Sequence, residues 1–327
     1  MERRDFLKTA TLSAASLTMD RIATLGEAAE MKEVGGSSNA PPLSRREYGK
    51  TGVQLSVIGM GGIVVMNAEQ EHANRVVAEA VERGVNYFDV APTYGNAEEK
   101  LGPALEPYRK NVFLACKTTE RRREGAEAQL QRSLERLRTD HFDLYQLHAI
   151  ADMKKDVDVI FAKGGAMEVF IEAKKAGRVR FLGFSAHSVE AALAAMDRYD
   201  FDSVLFPINF ACWHKGNFGP QVIRKAQSKG LALLALKAMG RQKWPEGDPQ
   251  RKQYGKCWYQ PLTDRREAEL GLRFTLSQPV TAAIPPGEES LFRLALDIAA
   301  RFKPIAPEEE KELQAIAATL NPFFQAA

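Results

Sequence analysis

Eight short apolar runs recur between residues 57 and 284, most of them followed by a stretch whose apolar residues have helical spacing, and no other feature restricts the fold as much. The runs are Val57–Met60, Val85–Phe88, Val112–Cys116, Phe142–Leu147, Phe181–Phe184, Ser203–Ile208, Leu231–Leu236 and Thr281–Ile284. At four to six residues each they suit buried strands. Between them lie helical stretches such as Glu71–Arg83, Glu124–Leu137, Ala166–Ala176, Val189–Met196 and Arg265–Ser277. Gly84 and Gly177 stand where two of these helices need a terminating residue. Strands alternating with helices imply a parallel sheet, and eight such strands close into a (β/α)8 barrel. An open doubly wound sheet is the competing architecture. It needs a G-x-G-x-x-G turn after the first strand, and Gly59-Met60-Gly61-Gly62 is too short and leads into no immediate helix.

Ahead of the first run, residues 45–55 form two short alternating stretches around a Lys50-Thr51-Gly52 turn, which predicts a β-hairpin. A chain of 327 residues, 45% of them hydrophobic, can bury a large core in one domain without a metal or disulfide staple. Lys and Arg number 45 against 42 Asp and Glu, a net charge of +3 that does not suggest nucleic-acid binding. Arg121-Arg122-Arg123 is a short basic run and reads as a solvated helix start. Cys116, Cys212 and Cys257 are widely spaced and odd in number, so they read as free thiols rather than a disulfide or metal framework.

The N-terminus, Met1-Glu2-Arg3-Arg4-Asp5-Phe6-Leu7-Lys8 and a mildly apolar run from Thr9 to Met19, resembles a bacterial twin-arginine (Tat) export signal, with Glu2 in place of the usual Ser or Thr. The run is too short and too hydroxyl-rich for a stable membrane span, which takes about 20 apolar residues. Gly26-Glu27-Ala28 is the best small-x-small cleavage candidate. The reading is therefore a signal over residues 1–28, a flexible linker over 29–44 rich in Gly, Ser and Pro, and a barrel over 45–327. The resemblance implies the twin-arginine translocation machinery as a partner and a periplasmic or other extracytoplasmic destination.

In a barrel of this kind chemistry gathers where the strands end. Those ends give Asp89, Tyr94 in the loop that follows it, Lys117, His148 and Ser185. The segment Asp89-Val90-Ala91-Pro92-Thr93-Tyr94-Gly95, the strand-end Lys117 and the Leu147-His148 ending stand in the order found in aldo-keto reductases, and the chain resembles that family over about residues 45–300. Tyr48-Gly49-Lys50-Thr51-Gly52 likewise resembles the hairpin that closes the family's barrel floor. The resemblance implies an oxidoreductase that moves a hydride between a nicotinamide cofactor and an aldehyde, a ketone, a sugar-like carbonyl or the matching alcohol. It makes Tyr94 the acid/base, Lys117 and Asp89 its tuning pair, and His148 the group that orients the carbonyl. The chemistry suits those residue types: negative charge grows on the carbonyl oxygen, and a phenol with a pKa near 10 is a sluggish donor unless an ammonium stabilises its phenolate. A buried ammonium needs a carboxylate in turn.

For the cofactor, Ser185 keeps the serine that in the family holds the nicotinamide carboxamide, while Ala186 stands where an asparagine is usual, with His187 as a candidate substitute. Asn209 is the candidate for the glutamine expected after the sixth strand, and Lys237 lies in a segment similar to the one that wraps the cofactor pyrophosphate. Gly287 belongs to a segment that resembles the family's Ile-Pro-Gly loop, which implies a place beside the adenosine ribose. Within that loop Glu288 and Glu289 would repel a 2′-phosphate and Arg293 would attract one. The choice between NAD and NADP stays open, leaning to NAD. Loop aromatics Phe161, Trp213, Trp244, Tyr254, Trp258 and Tyr259, with His214, are candidates to shape the substrate pocket. A non-catalytic, cofactor-binding sensor or partner subunit is the alternative reading. A metal-dependent hydrolase would need a His-x-His or a carboxylate–histidine cluster, which the strand ends lack.

Overall fold

A computed structural model describes residues 42–326. The expected signal and most of the linker lie outside the described residues. The hairpin strands are β1 (Arg45–Glu47) and β2 (Gln54–Ser56). The barrel strands are β3 (Met60–Gly61), β4 (Tyr87–Asp89), β5 (Phe113–Thr118), β6 (Phe142–Ile150), β7 (Val179–Ala186), β8 (Ser203–Pro207), β9 (Ala232–Leu236) and β12 (Ala282–Ile284); a second small hairpin pairs β10 (Gly240–Gln242) with β11 (Gln260–Pro261). The helices are α1 (Gln70–Glu82), α2 (Ala97–Leu105), α3 (Arg123–Arg136), α4 (Asp158–Phe161), α5 (Ala166–Lys175), α6 (Val189–Arg198), α7 (Phe210–His214), α8 (Pro220–Lys229), α9 (Arg265–Ser277), α10 (Glu289–Ala299) and α11 (Pro307–Thr319).

The eight barrel strands run parallel in the order β3-β4-β5-β6-β7-β8-β9-β12. A parallel bridge between Ile58 and Ala283 joins the two edges, with Gly59 N donating to Ala283 O and Ala283 N to Val57 O, both at 2.9 Å. Closure leaves the barrel sheet itself no edge strand to template association. The strand pleat then sorts side chains into two cores. Tyr87, Phe113, Ala115, Leu144, Leu205, Leu234 and Ile284 fill the barrel interior, while Phe88, Leu114, Tyr145, Leu147 and Phe184 pack outward against the helices.

The hairpin plugs the end at which the strands begin. Tyr48 inserts its ring against Phe113 and Phe181, with centroids at 5.1 and 5.3 Å, and Arg46 donates to the carbonyls of Val280 and Leu276. The packed fold starts before the expected boundary at residue 45: Leu43 is buried and Ser44 O accepts from Val57 N. Gly84 and Gly177 do end helices, with φ of +93° and +75° that a Cβ would resist. All three cysteines are free and buried. Among the described residues no helix is long and apolar enough to cross a membrane.

Candidate active site

The interior ladder of side chains carries straight into the site. On β4, Tyr87 and Asp89 face inward; on β5, Phe113, Ala115 and Lys117; on β6, Leu144, Gln146 and His148, all by the period of two. Register places Asp89 beside Ala115 and Lys117 beside Gln146, so adjacent strands deliver their last inward residues to one spot.

There Lys117 Nζ forms an ion pair with Asp89 Oδ1 and also donates to Val90 O at 3.2 Å. Asp89 Oδ2 accepts from Gln146 Nε2 at 2.9 Å and from the Tyr87 hydroxyl at 3.2 Å. Burial works against the Lys117 charge, but Asp89 and Tyr94 beside it outweigh burial and raise its pKa above the ordinary lysine value. The lysine is a fixed cation only 1% exposed. The Tyr94 ring centroid lies 5.3 Å from Lys117 Nζ and meets the His148 ring edge-on at 6.0 Å. The expected lowering of the Tyr94 pKa is not what the site produces. Burial raises it, Lys117 opposes, and burial wins. Burial, followed by the charges of Lys117 and other nearby groups, pushes His148 down to about 2, so its imidazole is neutral. Its Nδ1 finds no partner among the described residues.

These four residues line one cavity of about 170 Å³ at the C-terminal ends of the strands, with Ser185, His187, Lys237, Lys256, Trp258 and Gly287 among its other walls. Of the cofactor candidates, Ser185, His187, Lys237 and Gly287 are thus brought together. Ser185 Oγ accepts from Ala149 N at 2.7 Å and keeps its hydroxyl hydrogen to donate. Two candidates stand apart from the cavity lining. Asn209 is fully buried and caps α7, its Oδ1 accepting from Cys212 N at 3.0 Å, because the residue entering that short helix must satisfy a free amide. Arg293 points outward from α10 and pairs with Glu79 at 2.7 Å and Glu289 at 2.6 Å. Glu288 is not part of the lining either; it accepts from Lys256 N at 2.7 Å.

Of the loop aromatics only Trp258 and Tyr259 reach the cavity. Trp213 and His214 pack on Phe274, Phe161 on Phe201, and Trp244 stacks with Tyr254. Gln146 and Lys256 are site residues that sequence reasoning missed. Gln146 was within reach, since it lies two positions before His148 on the same strand face. Lys256 was not: it is carried on the long connection between β10 and β11, where no periodicity applies, and reaches Val64 O at 2.7 Å. No group of His, Cys, Asp and Glu among the described residues is arranged to hold a metal ion.

A model of the aldo/keto reductase family matches residues 57–318. The chain belongs to the aldo-keto reductase family. As a member it is an oxidoreductase, and its relatives fit that class. The uncharacterized oxidoreductase YqkF of Bacillus subtilis is 27% identical over 308 residues, covering 83% of this chain and 96% of that protein. L-galactose dehydrogenase of Arabidopsis thaliana is 24% identical over 79% of this chain and 88% of its own. Among solved structures, the holo form of an aldo-keto reductase from Bacillus halodurans shares the fold, with a TM-score of 0.63 at 23% identity over 84% of this chain and 96% of its own.

Proposed function

We propose that this aldo-keto reductase transfers a hydride between a nicotinamide cofactor and a carbonyl or alcohol substrate. The observation that carries the reading is the single cavity in which Tyr94, the Lys117–Asp89 pair and a neutral His148 converge. A bound nicotinamide would supply or accept the hydride. The donor set fits such a group: two ammonium groups, Lys237 and Lys256, suit phosphate, and the Ser185 hydroxyl, flat Trp258 and apolar Leu205 and Leu236 suit a carboxamide-bearing ring. Both NAD and NADP are compatible with this set, since neither Arg293 nor Glu288 is part of the cavity lining.

In the reducing direction the substrate oxygen sits between Tyr94 and His148. The neutral imidazole donates an N–H to it, which stabilises the growing negative charge. Tyr94 then gives up its phenolic proton to the alkoxide, and Lys117 holds the resulting phenolate. Asp89 keeps Lys117 charged and aimed, while Gln146 and Tyr87 hold Asp89. A panel of aldehydes and ketones assayed with NADH and NADPH tests the reading directly. Tyr94→Phe should lower turnover by about two to four orders of magnitude with little change in cofactor affinity. Near-full activity of the variant would overturn the role of Tyr94, and no turnover by the unaltered protein would favour the sensor alternative.

The N-terminal arginine pair supports a further reading, that the protein is exported folded with its dinucleotide already bound. Free NAD(P)H is not expected outside the cytoplasm, and binding stabilises the folded form by mass action. Replacing Arg3 and Arg4 by lysine should leave folded precursor in the cytoplasm on fractionation. Export of both forms alike would exclude the signal.

A further inference from the structure

Phe323 and Phe324, in the segment that follows α11, pack on residues of the cavity wall without lining the cavity themselves. The segment is tied to the barrel at both ends. Asn321 N donates to Gln242 Oε1 at 3.0 Å, Lys243 N donates to Asn321 O at 2.9 Å, and Ala326 N donates to Gly216 O at 2.8 Å. The body is shaped to receive what lies between. A Cβ on Gly240 would stand 2.6 Å from the Phe323 ring, and one on Gly216 would stand 2.5 Å from Phe324 O. Neither glycine has a left-handed backbone, so close packing rather than a turn excludes a side chain at each.

The two rings reach different walls. Phe323 lies on Tyr259 at 5.0 Å and on Trp258 at 5.6 Å, both carried by the β10–β11 connection. Phe324 lies on His187, just after β7, at 4.9 Å, and its ring is 5.5 Å from the Nζ of Lys237, just after β9. It also stacks on buried Phe218 at 5.1 Å, which stacks on Phe206 of β8 at 4.7 Å, so the ring is anchored in the outer core. The neighbouring rings meet each other at 5.5 Å. The pair therefore joins the connection to the ends of β7 and β9, and the four wall residues it touches all line the cavity. Among the described residues neither ring packs on Tyr94 or His148, which meet one another. We propose that Phe323 and Phe324 are positioning residues for the cofactor, a clasp that holds these walls together and sets how slowly a bound dinucleotide is released. The inference rests on the hydride-transfer reading and goes past it, to the lifetime of the loaded protein. Parting the walls breaks aromatic contacts that contribute beyond the area they bury, and a loss of that kind falls mainly on the dissociation rate.

The test loads the unaltered protein, Phe324→Ala and Phe324→Tyr with NADH or NADPH, then chases with excess oxidised cofactor and follows the fluorescence of the reduced nicotinamide. Release should quicken about 10-fold in Phe324→Ala and stay near the unaltered rate in Phe324→Tyr, which keeps the ring. Unchanged release in a folded Phe324→Ala would overturn the clasp, and a raised KM for a carbonyl compound alongside it would give the ring to the substrate instead. A second measurement needs no variant. The amides of Lys243 and Ala326 tie the segment down, and their hydrogen exchange in the unaltered protein should slow about 10-fold when cofactor saturates it. Exchange that ignores the cofactor would equally sink the proposal. If neither dinucleotide binds the unaltered protein, the hydride-transfer reading fails and the clasp with it; binding with release and exchange unmoved removes the clasp alone.

Discussion

Arg121 shows how far a single side chain can depart from its sequence context. Within the Arg121-Arg122-Arg123 run only Arg122 and Arg123 are exposed. Arg121 instead donates from Nη2 to His148 O and from Nε to Asp156 Oδ1, both at 2.7 Å. Asp156 Oδ2 in turn accepts from the amides of Ala151 and Asp152. Ala149 sits at φ +54° between His148 and this clamp. Arg121 is thus placed to position His148. Arg121→Met should cost about 2 kcal/mol of stability, the scale of losing a charge-assisted hydrogen bond. It should also lower kcat by about tenfold at temperatures where the variant is folded, with Arg121→Lys recovering part of it; loss of stability with kcat unchanged would reduce the residue to a structural one. No local pattern reveals this role, because its partners lie 27 and 35 positions away. Asp89, Tyr94, Lys117 and His148 were legible for the opposite reason: each occupies or follows a strand end, where position along the chain translates into position in the barrel. Asn209 and Arg293 stand apart from the cavity lining because residue type at an expected place says nothing about which way the side chain turns.

At the scale of elements, the strands were legible to within a few residues because both faces of a closed parallel sheet are buried, which makes each strand a nearly unbroken apolar run. The helices were less so. Ala97–Leu105 contains Gly102 and Pro103, residues that read as breakers. In the fold Gly102 marks a crossing: a Cβ there would lie 2.5 Å from Arg136 O and 2.8 Å from Leu137 Cα, where α2 meets the end of α3. The glycine is a packing requirement between elements, visible only once both are in place. The β10–β11 hairpin was missed for a related reason. It is two or three residues per strand, held by the Gln242–Gln260 side-chain bond and by Lys243 N on Asn321 O rather than by any apolar alternation.

For the molecule as a whole, the two cavity histidines make stability depend on acidity. In the unfolded chain each titrates near 6.5, whereas in the fold His148 is pushed to about 2 and His187 to about 3. Above about pH 6.5 neither state binds the proton and there is no effect. Below it the unfolded state takes up protons that the folded state refuses, so stability falls with falling pH until the folded values are reached, by about 1.4 kcal/mol per pH unit for each histidine. Urea midpoints measured between pH 7.5 and 5 should show this slope, and His187→Asn should flatten it by its share; an identical slope in the variant would refute the assignment. The two ends of the described chain carry another consequence. Leu43 packs beside Gly84, at the closed floor of the barrel, while Phe324 lies against Lys237 and His187 at the catalytic mouth and Ala326 N bonds to Gly216 O. A fusion partner, affinity tag or immobilising surface joined ahead of residue 42 is therefore expected to sit at the end of the barrel away from the cavity, whereas the same addition after Ala326 is expected to sit beside two of its lining residues.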